Sequence, residues 1–450
     1  MKLINVNKKC QLLVGAVLAG GIFLLAYGLK RGGGENMPAY ITLAVLIVSA
    51  VLFVTEIVSL AITSMSIPII LALTGVIAPN RAFLGFANDN VILFASMFII
   101  GGALFNTGVT EMVGSLVVNA TKGNERKLLF GVLLMVSMFS AFLSNTGTVA
   151  VLLPVCIGIV DSAGWGRKNI LMVLAMTASM AGMITLVGTP PNITVNAVLT
   201  QYGIQPFGFF EFAYIGIPLT LVGGIYLVLT RKTTVAAQKE PKYNETGQAF
   251  VFGKKQGLAI AVMAGVILAM ASGFISLHIA AAIGALLCVL CRLLTEKEAI
   301  EAIDWTTIFL FSGTLVLAEA LDKTGAGKMI ADGVIHIVGT NANQLVLLSA
   351  LFLLTATLTQ FMSNTASCAL LAPIGLQIAE GLGANPRGAL MVVAIAASSA
   401  FATPMATPPN TLVMGPGKFS MTDYMKTGLP LIAIAYLVCI IVIPAVWPLY

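Results

Sequence analysis

Long apolar runs follow one another along almost the whole chain and are separated by short polar segments. A helix needs about 20 apolar residues to cross the hydrocarbon core of a bilayer. Nine runs have the length of one crossing: 11–29, 39–57, 60–78, 90–108, 212–230, 257–275, 277–292, 306–321 and 428–447. The pattern therefore predicts an all-α polytopic membrane protein.

Four further apolar stretches do not fit a single straight crossing. The stretches 127–160 and 344–378 are too long for one crossing and too short for two, and each is interrupted near its middle by Ser-Asn-Thr. The stretches 170–200 and 387–414 have the length of one span, but Pro-Pro-Asn interrupts both. We interpret the first pair as re-entrant hairpins and the second pair as broken spanning helices. The prediction is eleven transmembrane helices and two re-entrant hairpins.

Three landmarks occur twice in the same order, at offsets of 217 to 219 residues. These pairs are Thr107-Gly108 with Thr324-Gly325, Ser144-Asn145-Thr146 with Ser363-Asn364-Thr365, and Thr189-Pro190-Pro191-Asn192 with Thr407-Pro408-Pro409-Asn410. The chain therefore consists of two related halves. Five predicted crossings separate equivalent points, and because this number is odd, the two repeats are expected to be inverted.

Composition and charge support a membrane location and give an orientation. Hydrophobic residues make up 58% of the chain and charged residues 9%, whereas a soluble domain carries about 25% charged residues. With the N-terminus in the cytoplasm, eighteen of the 24 Lys and Arg residues fall on the inner side, as the positive-inside rule requires. This predicts a protein of the cell membrane with its C-terminus outside. It also explains the net charge of +6 without nucleic acid as a partner.

The longest polar segment, 231–256, is interpreted as a cytoplasmic linker between the halves. The predicted organisation is spanning helices in 1–126 and 257–343, and a hairpin with a broken helix in 127–230 and again in 344–450.

The Ser-Asn-Thr and Pro-Pro-Asn motifs are the candidate chemistry. Polar side chains within an apolar stretch are tolerable where the backbone turns and lines a cavity, and a helix N-terminus just after that turn would attract an anion. A helix broken by two prolines frees carbonyls, such as those of Gly188 and Ala406, which could bind a cation.

No Lys or Arg falls within these motifs, and Glu56 and Glu319 are interpreted as boundary or scaffold groups. Anion binding would then rest on Asn amides, Thr hydroxyls and backbone N–H groups. Two such helix N-termini facing each other suit a ligand with two separated carboxylates.

At these motifs the chain resembles the divalent anion:sodium symporter family, which includes dicarboxylate and citrate carriers and dicarboxylate exchangers. The resemblance covers nearly the whole chain. It implies a homodimeric inverted-repeat transporter that works by an elevator mechanism in a lipid bilayer. The helices in 1–126 and 257–343 would be its scaffold, and the hairpins and broken helices would form the moving transport domain. It also implies no cofactor other than sodium ions.

The resemblance further implies functional residues. The implied contacts to substrate carboxylates are Asn145, Thr146, Thr189, Asn364, Thr365 and Thr407. The implied ligands of two sodium sites are Ser140, Ser144, Asn145 and Gly188 in the first repeat, and Thr359, Ser363, Asn364 and Ala406 in the second. The family often has an acidic residue just after the position of Thr359, where this chain has the neutral Gln360.

The expected function is transport of C4/C5-type dicarboxylates, of the succinate, malate, fumarate and 2-oxoglutarate class. Sodium symport and dicarboxylate exchange both remain open. Alternatives are a carrier of another oxyanion, such as citrate or sulfate, and an anion channel, although the sequence lacks a selectivity-filter repeat. The isolated His278 and His336 provide no catalytic or zinc motif, so an enzyme is not expected.

Overall fold

The computed structural model describes residues 36–110, 112–113, 125–162, 165–230, 253–338 and 343–449. In these ranges the first half has eight α-helices: α1 (Met37–Thr55), α2 (Leu60–Leu73), α3 (Asp89–Asn106), α4 (Glu125–Ser140), α5 (Asn145–Ser162), α6 (Arg167–Ala181), α7 (Pro190–Gln201) and α8 (Ala213–Thr230). A short 3-10 helix, Leu84–Ala87, precedes α3.

The second half has ten α-helices in the described ranges: α9 (Lys254–Ser272), α10 (Leu277–Leu290), α11 (Glu296–Glu301), α12 (Trp305–Lys323), α13 (Ala326–Val338), α14 (Gln344–Leu358), α15 (Asn364–Gly381), α16 (Pro386–Ser398), α17 (Pro408–Gly417) and α18 (Met421–Val446). The repeat seen in the sequence is present in the structure, because helices α1 to α7 begin 216 to 219 residues before their counterparts in the second half.

Helix packing follows the same repeat, because equivalent helices of the two halves pack against equivalent partners. Helix α2 packs against α12, and the equivalent pair, α10 and α3, packs in the same way. Helix α7 of the first half packs against α15 and α16, while its counterpart α17 packs against α5 and α6. Each half is therefore completed by contacts with the other half.

Helices α6 and α16 form the centre of the molecule. Their residues Asn169–Ala181 and Gly388–Ser398 are buried on every side, as expected for helices with apolar side chains around the whole circumference. Small residues allow the neighbouring helices to come close. A Cβ at Gly216 of α8 or Gly428 of α18 would collide with the backbone of the segments that follow α6 and α16.

Many large apolar side chains lie on the outer surface, including Leu229, Phe274 and Ile441. Six described helices, namely α1, α3, α8, α9, α12 and α18, are long and apolar enough to cross a membrane. Five other apolar helices are shorter. This is the arrangement of a polytopic helical protein whose outer surface is covered by lipid.

Several predictions about the organisation remain predictions. The first helix, 11–29, lies outside the described residues, as does most of the linker 231–256, so the count of eleven crossings is untested. The described structure also contains two helices that the hydropathy pattern did not predict, α11 and α13. Helix α11 is a six-residue helix begun by a capping box between Thr295 and Glu298.

Candidate functional site

Each Ser-Asn-Thr motif lies at the tip of a helical hairpin. Helix α4 ends at Ser140 and α5 begins at Asn145, so the chain reverses within four residues. In the second half α14 is followed by α15 in the same manner. The serine of each motif caps the returning helix, because Ser144 Oγ accepts a hydrogen bond from Gly147 N at 3.1 Å and Ser363 Oγ accepts one from Ala366 N at 3.2 Å. The asparagine and threonine are thus placed in the first turn.

The helix breaks precede the proline pairs. Non-helical segments 182–189 and 399–407 separate α6 from α7 and α16 from α17. The prolines occupy the first two positions of α7 and α17. Backbone N–H groups at these positions make no hydrogen bond within a helix, so proline is tolerated there. The prolines therefore begin the second helix of each pair, whereas the sequence interpretation had them interrupting a continuous helix.

The asparagine after each proline pair holds the non-helical segment in place. Asn192 Nδ2 donates to Thr185 O at 2.8 Å, and Asn410 Nδ2 donates to the equivalent Thr403 O at 2.9 Å. Asn410 Nδ2 also donates to Ala400 O at 3.0 Å. Both asparagines are fully buried. The break is thus a defined structure that recurs in both halves.

The hairpins and the helices α6 and α16 meet at two equivalent polar clusters. The Ser140 hydroxyl lies 2.8 Å from Ala178 O and 2.7 Å from the side-chain amide of Asn145. In the second half the Thr359 hydroxyl lies 2.6 Å from Ala397 O and 3.2 Å from Asn364 Oδ1. Both clusters lie at the C-terminal ends of α6 and α16, where Ala178 O and Ala397 O accept hydrogen bonds from the hydroxyls of the hairpins.

The amide of Asn145 is surrounded by oxygen atoms. One end of the amide is 2.7 Å from Ser140 Oγ, 3.0 Å from Ala178 O and 3.2 Å from Gly188 O. The two carbonyls can only accept hydrogen bonds, so the amide nitrogen belongs at this end and donates to them. The two carbonyls and the Ser140 hydroxyl are also oxygen ligands of the kind that a hard cation prefers.

A cavity of about 390 Å³ lies in front of both hairpin tips. Four helices point their N-termini at it, with Asn145, Pro190, Asn364 and Pro408 as first residues in the lining. The N-termini of α5 and α15 present free N–H groups, whereas the first two positions of α7 and α17 are prolines without an N–H. Each of the four N-termini carries about half a positive charge. One wall of the cavity is therefore electropositive although it contains no cationic side chain.

A second part of the lining comes from α2, α3, the segment before α12 and α12 itself. It is mostly apolar, with Phe94, Met97 and Leu310 in the lining, and its polar part consists of Asp304, Thr306 and Thr307. Asp304 is the only ionisable residue among the described residues that line the cavity. Sequence reasoning missed it, although an Asp two positions before a Thr-Thr pair at the start of an apolar run is a recognisable N-cap signal.

Of the twelve residues assigned from the sequence, ten line the cavity: Ser144, Asn145, Thr146, Gly188, Thr189, Ser363, Asn364, Thr365, Ala406 and Thr407. The other two, Ser140 and Thr359, are fully buried behind Asn145 and Asn364. The predicted residues from two distant parts of the chain are thus brought to one place.

The family model described as "CitMHS: Citrate transporter" matches residues 50–365 and 328–449 of the chain. An uncharacterized transporter of Haemophilus influenzae is 29% identical over 424 residues, which cover 89% of both chains. The sodium-dependent dicarboxylate transporter SdcS of Staphylococcus aureus is 25% identical over 484 aligned positions, which cover 97% of this chain and 91% of the relative.

Two solved structures share the fold. The YdaH transporter of Alcanivorax borkumensis superposes with a TM-score of 0.59 at 16% identity and covers 84% of this chain and 87% of its own. MtrF of Neisseria gonorrhoeae, described as representing a class of antimetabolite efflux pumps, gives a TM-score of 0.57 at 17% identity, with 84% of both chains covered.

Proposed function

Because the chain belongs to the citrate transporter family whose model matches most of its length, we propose that this integral membrane transporter is a secondary carrier of small dicarboxylates. The observation that carries the proposal is the cavity between four helix N-termini, two from each repeat. A ligand with two carboxylates can face one pair of N-termini with each end.

The substrate contacts follow from this symmetry. We assign one carboxylate to Asn145 and Thr146, in the first turn of α5, and to Thr189, at the N-cap of α7; all three residues line the cavity. The second carboxylate is assigned to the equivalent residues Asn364, Thr365 and Thr407. Backbone N–H groups at helix N-termini bind carboxylates without a cationic side chain.

Sodium is the proposed co-substrate. The proposed first site consists of Ser140, Ser144, Asn145 and Gly188, and the second of Thr359, Ser363, Asn364 and Ala406. The oxygen-rich surroundings of Asn145 support the first site, because oxygen ligands are preferred by hard cations. The name of the Staphylococcus aureus relative, a sodium-dependent dicarboxylate transporter, supports the same assignment. Bound cations beside the helix N-termini would help to neutralise the two substrate charges.

We propose an elevator mechanism in a homodimer, with the N-terminus in the cytoplasm and the C-terminus outside. Residues 127–230 and 344–450 would move together with the substrate, while 1–126 and 257–343 would form the scaffold. The cavity lies at the boundary between these two groups, since one wall comes from the hairpins and broken helices and the other from α2, α3 and α12. Alternating access at a repeat interface is the usual arrangement for inverted repeats.

Citrate is the second candidate substrate. The family description names it, and the cavity volume of about 390 Å³ lies in the range of small-molecule sites. Citrate contains a four-carbon dicarboxylate frame with an additional carboxymethyl group, so both compounds fit the symmetry argument.

The test is uptake of labelled succinate into proteoliposomes, with citrate and sulfate as competitors. Uptake should be measured in sodium and in choline, with and without internal succinate. We expect sodium-stimulated uptake into empty liposomes and competition by other dicarboxylates. Equal uptake in both salts with strong stimulation by internal succinate would identify exchange and retire the sodium assignment. Uptake of citrate alone would replace the proposed substrate.

A further inference from the structure

Asp304 contributes a negative charge to the lining of the same cavity that the four helix N-termini line. Within the described residues, no Lys or Arg nitrogen lies within 4 Å of its carboxylate. We propose that Asp304 determines substrate specificity by charge number, weakening the binding of an anion more strongly with each additional negative charge. This proposal rests on the proposed function, because it concerns the same cavity and its anion.

The carboxylate has an evident structural role as the N-cap of α12. Its Oδ1 accepts hydrogen bonds from Thr306 N at 3.0 Å and Thr307 N at 3.2 Å, and its Oδ2 accepts one from the Thr307 hydroxyl at 2.6 Å. These bonds hold the charge at one position beside the cavity.

Capping by itself does not require the charge. In the first half, Asn88 caps the equivalent helix α3, and its neutral side chain accepts from Asn90 N at 2.9 Å. Asn and Asp are equally good N-caps. The repeat therefore provides its own comparison, in which the same cap is neutral outside the cavity and charged within it.

The size of the effect follows from the cavity. A sphere of the cavity's volume is roughly 9 Å across. We take this diameter as the distance between Asp304 and a substrate charge on the far side of the cavity. With a dielectric constant of about 40 to 80, the repulsion then weakens binding about two- to five-fold per unit of substrate charge. A tricarboxylate is thus disfavoured by a further two- to five-fold relative to a dicarboxylate. The residue would therefore bias this family member toward dicarboxylates and away from citrate.

The proposed mechanism adds a directional consequence. In the proposed mechanism the inverted repeats exchange conformations, and the N-terminus of α3 would then take the place of that of α12 beside the site. The anion would then face the neutral Asn88 in place of Asp304. Substrate is expected to bind more weakly on the side where Asp304 lines the cavity, which favours its release there.

The test is ligand binding to the purified full-length protein at pH 8 by calorimetry, using succinamate, succinate and citrate as anions of increasing charge. Asp304→Asn and Asp304→Ser both keep a neutral cap, and melting temperatures report on folding. Glu301→Gln removes an equal charge three residues away, at a side chain that is 65% exposed and does not line the cavity.

We expect both Asp304 variants to bind succinamate about two- to five-fold more tightly, with a larger gain for succinate and the largest for citrate. The gains should shrink at high ionic strength, and Glu301→Gln should show none. In oriented proteoliposomes, Asp304→Asn should lower the KM on one side only. Equal changes for all three ligands, or no change, would overturn the inference and leave the proposed function intact. Absence of carboxylate binding by the unmodified protein would overturn both.

Discussion

Gly188 provides the sharpest test of the proposed first sodium site. A Cβ at this position would lie 2.5 Å from Gly182 O and 2.9 Å from both Ala141 O and Ser140 O. All three atoms belong to the backbone, so no side chain can move aside. Gly188→Ala should therefore displace carbonyls around the oxygen cluster of Asn145, and with them the proposed ligand Gly188 O itself.

The expected magnitude comes from overpacking a close-packed site. Inserting a methyl group into such a site costs about 1–3 kcal/mol, and about 2 kcal/mol corresponds to roughly thirty-fold weaker binding. If that cost falls on the cation-bound state, half-maximal succinate uptake should require roughly thirty-fold more sodium. The assay is initial uptake into proteoliposomes over a range of sodium concentrations at a fixed succinate concentration.

The second repeat provides a matched control. Its equivalent residue, Ala406, already carries a Cβ and is accommodated with 3% exposure. Ala406→Gly removes the methyl group and should change the sodium requirement far less than Gly188→Ala. An unchanged sodium requirement in a folded Gly188→Ala protein would refute the placement of the first site. If Gly188→Ala lowers the melting temperature and added sodium does not restore it, the whole cost of the added methyl group falls on folding and none on sodium binding.

Three further predictions concern the hairpins and the topology. Asn145→Ala and Asn364→Ala should each lower uptake roughly ten-fold or more, since losing a hydrogen bond to a charged group costs about 1.5–3 kcal/mol. Near-normal uptake by both variants would contradict the proposed substrate site. Gln360→Glu should lower the melting temperature without abolishing sodium dependence, which differential scanning fluorimetry and uptake would check. A cysteine in 231–256 should react with an impermeant maleimide only from the cytoplasm, and a cysteine added after Tyr450 only from outside. Labelling of both cysteines from the same side would refute an odd number of membrane crossings between them.

The repeat and the main part of the site could be predicted from the sequence because both depend on local chemistry. Proline at the first helical position and serine at a cap act within a few residues, so Pro190 and Ser144 mark helix starts in any surroundings. Their recurrence as Pro408 and Ser363 at a constant offset then locates the second half. The repeat could be recognised from this spacing alone, without knowledge of the tertiary structure.

The part of the cavity formed by α2, α3 and α12 could not be predicted in the same way. Asp304 looks like an ordinary N-cap, and only the packing of α12 beside the hairpin tips places it on a cavity. Helix α13 was missed because it belongs to no span-length apolar run, and its packing against α15 stabilises it instead. Such features depend on contacts between segments far apart in the chain.

Gln360 shows how the structure changes the interpretation of a departure from a family pattern. Its Nε2 donates to Ala356 O at 2.8 Å and Ser399 O at 3.0 Å, and its Oε1 accepts from Ala402 N at 3.0 Å. A carboxylate could make the last bond but neither of the first two, because it has no proton to donate. The amide therefore joins the second hairpin to the non-helical segment after α16. In the first half the equivalent residue is Ala141, which has no polar side chain, yet the oxygen cluster of Asn145 is present there. A charge at this position is thus unnecessary for assembling the proposed cation ligands, so the neutral Gln360 does not count against sodium coupling.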